Sequence, residues 1–109
     1  MKALVSTLSK ILPIYPFEVP QGIRAPYGVY VKSESPVRTK EGIAGYDGTI
    51  SISIYANTLN TVESIAVLII QALDNNTIGE RSYYYESASE ESYSDVGLVS
   101  KELTFTTLR

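Results

Sequence analysis

The sequence predicts an α+β fold: a mainly antiparallel four-strand sheet with two helices on one face, in the order α-β-β-α-β-β. Three observations carry this. Along residues 49–54, Ile50, Ile52 and Ile54 alternate with Thr49, Ser51 and Ser53, the period of two that marks a half-buried strand. Directly afterwards Val62, Ile65, Ala66, Ile69 and Leu73 recur at helical spacing, so an amphipathic helix can lie on the isoleucine face. Near the end Leu103, Phe105 and Thr107 alternate with Glu102, Thr104 and Thr106, which predicts a second half-buried strand.

The remaining elements follow in order. Leu4, Leu8, Ile11 and Leu12 mark one face of a first helix over about 2–12, which Pro13 ends because the residue before a proline avoids the helical region. Ser6, Thr7, Ser9 and Lys10 interrupt this run, and no small-residue cleavage site follows it, so it does not read as a signal peptide. Pro13, Pro16, Pro20 and Pro26 stiffen a connector that can run extended along a sheet edge but cannot be a central strand. Residues 28–34 are rich in strand formers, with Val29 and Val31 on one face, and give the first strand. Residues 35–43, with Pro36 and Gly42 among Arg38, Lys40 and Glu41, read as a polar loop to the strand over 46–56. An alternative is a shorter hairpin turning at Asp47-Gly48, a strong two-residue turn signal.

Asn60 with Glu63 resembles a capping box for the second helix, which runs to about Leu73 or Asp74 before Asn75, Asn76 and Gly79. Its middle, residues 65–70, is apolar nearly all round, more than one sheet face requires, so a second covering surface, either the first helix or another subunit, is expected there. Val67 and Ile70 are the candidate oligomer contacts. Residues 81–108 read as a closing hairpin with a polar tip at 90–95.

A chain of 109 residues is expected to form a single domain over 1–109. It has no cysteine and no histidine. Disulfides, thiolate metal sites, cysteine nucleophiles and the commonest general base are therefore unavailable. Net charge is -3, which argues against a dedicated grip on DNA or RNA, since that needs clustered Lys and Arg. Charge is uneven: residues 1–56 hold six basic and four acidic side chains, residues 57–109 three basic and eight acidic. No stretch approaches the ~20 apolar residues of a membrane span, so a soluble protein is expected.

No catalytic, cofactor or metal site is predicted. A serine nucleophile would need a lysine base, and none of Lys2, Lys10, Lys32, Lys40 and Lys101 sits in a recognisable motif. Glu86, Glu90, Glu91 and Asp95 read as a solvated acidic surface rather than a cation site. Gly42, Gly45 and Gly48 are spaced by three and match no phosphate-binding loop, so they read as turn or bulge residues.

Tyr15-Pro16, then Val19-Pro20-Gln21-Gly22, then Ala25-Pro26-Tyr27-Gly28-Val29-Tyr30 resemble the tail completion proteins of long-tailed bacteriophages and prophages, a tail-to-head joining, tail terminator-like family. The similarity extends through residues 45–56, the helix ending in Gln71-Ala72-Leu73, and Leu103-Thr104-Phe105. The resemblance implies a non-enzymatic structural subunit, a ring commonly of six that caps the tail tube and joins it to the head. Its implied partners are other copies of itself, the tail tube protein and the head connector proteins. Its implied location is the host cytoplasm during assembly and then the virion tail. A neck component of the same particle is the alternative, and a small ligand-binding or enzymatic domain with a tyrosine-lined pocket is the third reading. Within this frame Arg38, Lys40 and Glu41 are the candidate partner contacts, and Glu86, Glu90, Glu91 and Asp95 a candidate acidic lumen that lets DNA pass without binding it tightly.

Overall fold

Ile50, Ile52 and Ile54 stand at the centre of the molecule, each at most 1% exposed, and the other elements are laid around them. The computed structural model describes residues 2–16, 22, 24–39, 42–79, 81–89, 92–93 and 97–108. In chain order these form α1 (Lys2–Ser9), β1 (Ile14–Pro16), β2 (Tyr27–Thr39), β3 (Gly42–Ala56), α2 (Leu59–Leu73), β4 (Asn76–Ile78), β5 (Arg81–Ala88), β6 (Ser92–Tyr93) and β7 (Val99–Leu108).

The expected four-strand, mainly antiparallel sheet is thereby corrected. The sheet is mixed, its continuous path holds six strands in the order β1-β2-β3-β7-β5-β4, and β6 pairs separately with β7. The α+β class remains. β1 is the parallel member, matching Ile14 to Gly28 and Pro16 to Tyr30, and it lies at the edge of the sheet where its proline is tolerated. The extra strands are only two or three residues long. A segment that short has no periodicity to read; it is held by its register against a longer neighbour rather than by its own pattern.

The core is built from matched rows. Ile50, Ile52 and Ile54 of β3 stand opposite Phe105, Leu103 and Lys101 of β7, and opposite Lys32, Tyr30 and Gly28 of β2. Val62, Ile65, Ala66, Ile69 and Leu73 of α2 join them, as do Leu4, Leu8 and Leu12 from α1 and the turn after it. Val29 and Val31 do share a face, as expected, but they stand opposite Ser53 and Ser51, on the side away from the helices.

At one end of α1, Ala3 lies so near the β4–β5 turn that a side chain on Gly79 would meet its Cβ at 3.1 Å. Just past the other end Leu12 packs over Gly28 of β2. α1 and the turn after it therefore cross the inner face from β2 to the β4–β5 turn, and the sheet curls around the helices as a half-barrel. Gly28 belongs to this closure: a Cβ there would sit 3.4 Å from Leu12 Cδ1 and 3.6 Å from both Ile14 Cγ1 and Ser53 O. A methyl fits, whereas a branched side chain overfills the site. Gly28→Val should cost about 1–3 kcal/mol and Gly28→Ala much less, a difference that thermal melts of the two variants will read.

Residues 35–43 are not a loop. β2 continues to Thr39 and β3 begins at Gly42, and their ladder runs to Thr39 opposite Gly42, with a register shift after Val37. Pro36 is accommodated because, among the described residues, β1 pairs with β2 only from Gly28 to Tyr30 and β2 has no outer neighbour at Pro36. The alternative turn at Asp47-Gly48 is also overturned, since Asp47 pairs with both Ser35 and Leu108, and Gly48 with both Glu34 and Thr107. Gly42, Gly45 and Gly48 accordingly lie inside β3, with Gly45 beside the register shift.

α2 starts two residues earlier than the Asn60–Glu63 pattern suggests. Thr58 is its cap, its hydroxyl accepting from the Thr61 N–H at 3.2 Å. At the far end the Asp74 N–H donates to the Ile70 carbonyl at 2.8 Å, and Asn76 Nδ2 donates to the Ala72 carbonyl at 2.9 Å. Asn75 takes the positive φ of 57° that turns the chain into β4. The expected polar tip at 90–95 contains β6, with Ser92 opposite Ser100 and Tyr93 opposite Val99.

Candidate assembly surfaces

Among the described residues, two features stand apart from the core. The first is the distal β2–β3 ribbon. β7 accompanies β3 only as far as Asp47 and β1 accompanies β2 only from Gly28 to Tyr30. Among the described residues, 36–39 and 42–46 therefore pair with each other alone. At ~3.3 Å per residue this two-stranded arm projects about 15 Å beyond the body. It accounts for the long dimension of a 52 × 26 × 25 Å molecule and for a radius of gyration of 14.9 Å, against about 13 Å for a compact domain of this length. An isolated two-stranded ribbon is marginal in water, so the arm is a structure suited to lying on something else.

The second is the outward side of α2. Its inner face is filled by the core, yet Val67 and Leu68 are each 50% exposed and Leu59 is 40% exposed. At ~100° per residue, Leu59 and Ile70 share one flank of the helix and Leu68 lies on the opposite flank, with Val67 and the polar Asn60, Ser64 and Gln71 between them. Of the two residues predicted for this role, Val67 stands outward, whereas Ile70 packs partly against the core. Leu68 and Leu59 were not distinguished by sequence, because a helix apolar nearly all round does not reveal which side meets the sheet.

The remaining predicted contacts are spread apart. Arg38 lies in the arm, on β2; Lys40 and Glu41 fall outside the described residues. Glu86 is exposed on β5, where the pairing with β7 shifts register between Tyr85 and Ser87. Glu90, Glu91 and Asp95 fall outside the described residues. Glu102, also exposed, is a further carboxylate on the helix-free face.

That face is rich in hydroxyls. Tyr27 and Tyr55 stack across β2 and β3 with ring centroids 5.1 Å apart, and Tyr55 borders a shallow groove of about 260 Å³ lined also by Ser53, Ser89, Ser100, Lys101 and Glu102. Ser89 is tied to β7 by its N–H donating to the Glu102 carbonyl at 2.9 Å and its hydroxyl accepting from the Glu102 N–H at 3.0 Å. A serine here would need Lys101 as base, but the Lys101 ammonium donates to Glu63 Oε1 of α2 at 3.0 Å. The lysine end is thus committed to a carboxylate on the helix side. Among the described residues no group of three or more acidic side chains gathers to hold a metal ion, and no helix is long and apolar enough to cross a membrane.

The edge beyond β4 is managed differently from the arm. The Tyr85 N–H, which would otherwise point outward, donates to Asp74 Oδ1 at 2.8 Å, and the register shift beside Glu86 breaks the strand's regularity. Both are devices that blunt a sheet edge. Beneath it, Arg81 Nη1 donates to the Thr107 hydroxyl at 3.4 Å, and Tyr83 is 2% exposed. Burial pushes the Tyr83 phenol above the ordinary tyrosine value, opposed by the Arg81 guanidinium and a hydrogen bond with Thr107. The stability tied to that neutral phenol is complete below the ordinary value near 10 and is lost as pH rises through the higher folded value.

No protein-family model matches the sequence, and no curated protein matches it. The fold is shared with solved structures. One is a chain of the virion of a native gene transfer agent particle, superposing with a TM-score of 0.71 over 99% of this chain and 84% of that one at 14% sequence identity. At that identity the likeness is one of fold. It extends over essentially the whole length, projecting arm included.

Proposed function

We propose that this chain is a structural subunit of a phage-type particle, which assembles into a ring of six at the end of the tail tube and joins the tail to the head. The observation that carries the reading is the full-length likeness to a virion chain. A projecting arm and the exposed apolar side chains of α2 on one small domain support it, both being features of a subunit designed for contact rather than for catalysis. Light scattering after size exclusion tests it: the purified protein should run as a discrete oligomer at tens of micromolar. If particles carry the protein at the head side before tails attach, the neck reading replaces the tail-end one.

In this ring Val67 and Ile70 belong to the contact between copies, with Ile70 acting through the packing it gives the outward side of the helix. Arg38, Lys40 and Glu41 meet the tail tube protein or the head connector proteins. Glu86, Glu90, Glu91 and Asp95 face the lumen, where carboxylates repel the phosphates of passing DNA. The assembled protein should therefore leave duplex DNA unretained in a filter assay at about 50 mM salt. Tight retention that collapses as salt rises would instead reveal a basic lumen releasing counterions.

A further inference from the structure

The groove beside Tyr55 has a definite chemistry. Ser53 and Tyr55 alternate with the buried Ile52 and Ile54, so it opens on the face away from the helices. It crosses three strands, from Tyr55 on β3 over Ser100 and Glu102 on β7 to Ser89 just past β5. The rings of Tyr27 and Tyr55 stand nearly parallel, 22° apart in plane, yet of the two only Tyr55 borders the groove. Tyr27 thus holds one side of the Tyr55 ring and leaves another side as an aromatic wall already fixed in place. The Ser89 hydroxyl accepts from the Glu102 N–H at 3.0 Å and keeps its own proton to donate. Glu102 is exposed and adds carboxylate acceptors. Lys101, the one cation among the described lining residues, stands opposite Ile54 and turns its ammonium to Glu63 on the helix side.

These features select a class of ligand. An anion would meet the Glu102 carboxylate with the Lys101 ammonium directed elsewhere. A hard cation takes six or more oxygens, and no acidic cluster gathers among the described residues. An apolar molecule would strip water from serine hydroxyls without replacing their hydrogen bonds. A neutral sugar ring meets each demand: its hydroxyls both donate and accept, as serine and carboxylate require, and its C–H face lies against the negative face of an aromatic ring. At about 260 Å³, the groove falls below the ~300–1,000 Å³ of sites for drug-sized ligands, which suits a single ring. We propose that this groove binds one ring of a neutral saccharide, with Tyr55 stacked on its C–H face, Glu102 accepting from its hydroxyls, and Ser53, Ser89 and Ser100 exchanging hydrogen bonds with the rest. This activity is separate from assembly, since the described lining residues include none assigned above to the ring or its partners.

Saturation-transfer NMR observed on the ligand tests this with the full chain, whether monomer or ring. Methyl α-glucoside, methyl β-galactoside and methyl N-acetyl-β-glucosaminide are titrated separately to about 50 mM, the range in which a shallow one-ring site saturates. At least one should show saturable transfer with a millimolar dissociation constant, strongest at the C–H protons of one ring face. Tyr55→Leu keeps an apolar side chain beside Tyr27 but removes the aromatic wall, and Glu102→Gln leaves the backbone ties to Ser89 in place. Each should weaken binding at least fivefold with an unchanged melting midpoint; should Tyr55→Leu fail to fold, Glu102→Gln carries the comparison. Absence of saturable transfer from all three sugars would overturn the proposal, as would a Glu102→Gln variant that binds like the parent. Displacement of the bound sugar by inorganic phosphate at equal concentration would overturn the neutral class of ligand.

Discussion

Truncating Phe105 to alanine should unfold the protein at temperatures where the parent is fully native. Phe105 is completely buried, stands opposite Ile50 on β3 and meets the edge of Tyr85 with ring centroids 5.7 Å apart. It thus ties β3, β5 and β7 together at the row over which α2 lies. Phe→Ala at such a site costs about 3–5 kcal/mol, out of the 5–15 kcal/mol that holds a domain of this kind together. The melting midpoint is expected to fall by more than about 10 °C. Calorimetry or circular dichroism reads this directly. A shift of only about 2–3 °C would mean that the β5–β7 side of the core carries little of the stability and that the helices hold β3 unaided.

The second large effect separates folding from assembly. Val67→Glu together with Leu68→Glu places two carboxylates on the outward side of α2, at positions already half open to water. The isolated subunit should lose less than about 1 kcal/mol, since exposed helix positions tolerate glutamate well. Association should fall at least a hundredfold, because a buried unpaired carboxylate costs several kcal/mol and the apolar area that drove contact is removed. Sedimentation should therefore find a folded monomer. Ile70→Glu is the contrasting variant. That side chain packs partly against the core, so it should lower the melting midpoint as well as the oligomer fraction. Retention of the parental assembly by the double variant would clear α2 of any part in the contact.

The parts of this fold that could be read from the sequence are those where a long element faces two different environments. Ile50, Ile52 and Ile54 alternate with hydroxyls because one side of β3 meets helices and the other does not, and α2 is periodic for the same reason. Among the described residues, the distal half of the β2–β3 hairpin pairs only with itself. Its Pro36, Arg38, Gly42 and Gly45 carry no alternation, and their turn-forming composition reads as a loop. Asp47-Gly48 has the composition of a hairpin turn, which is why it stood as the alternative, yet it lies between two partner strands. β4 and β6 were invisible because two or three residues have no period.

For the candidate surfaces the limit was different. The excess apolarity of α2 was legible, but its direction was not. Val67, Leu68 and Ile70 are equivalent by composition, and only the sheet decides that Val67 and Leu68 stand outward while Ile70 turns partly inward. Likewise nothing in the sequence announces that Lys101 reaches Glu63 across 38 positions. That ion pair takes the lysine end away from Ser53 and Ser100.

The central claim is that this subunit works by closing a ring through its own surfaces. Electron micrographs of the purified protein test it most directly. The account predicts rings of uniform subunit number with a central opening, built from units about 50 Å long like the 52 Å subunit, and their disappearance in the Val67→Glu, Leu68→Glu variant. Isolated, unassociated subunits at tens of micromolar, or open filaments with no closed species, would contradict it.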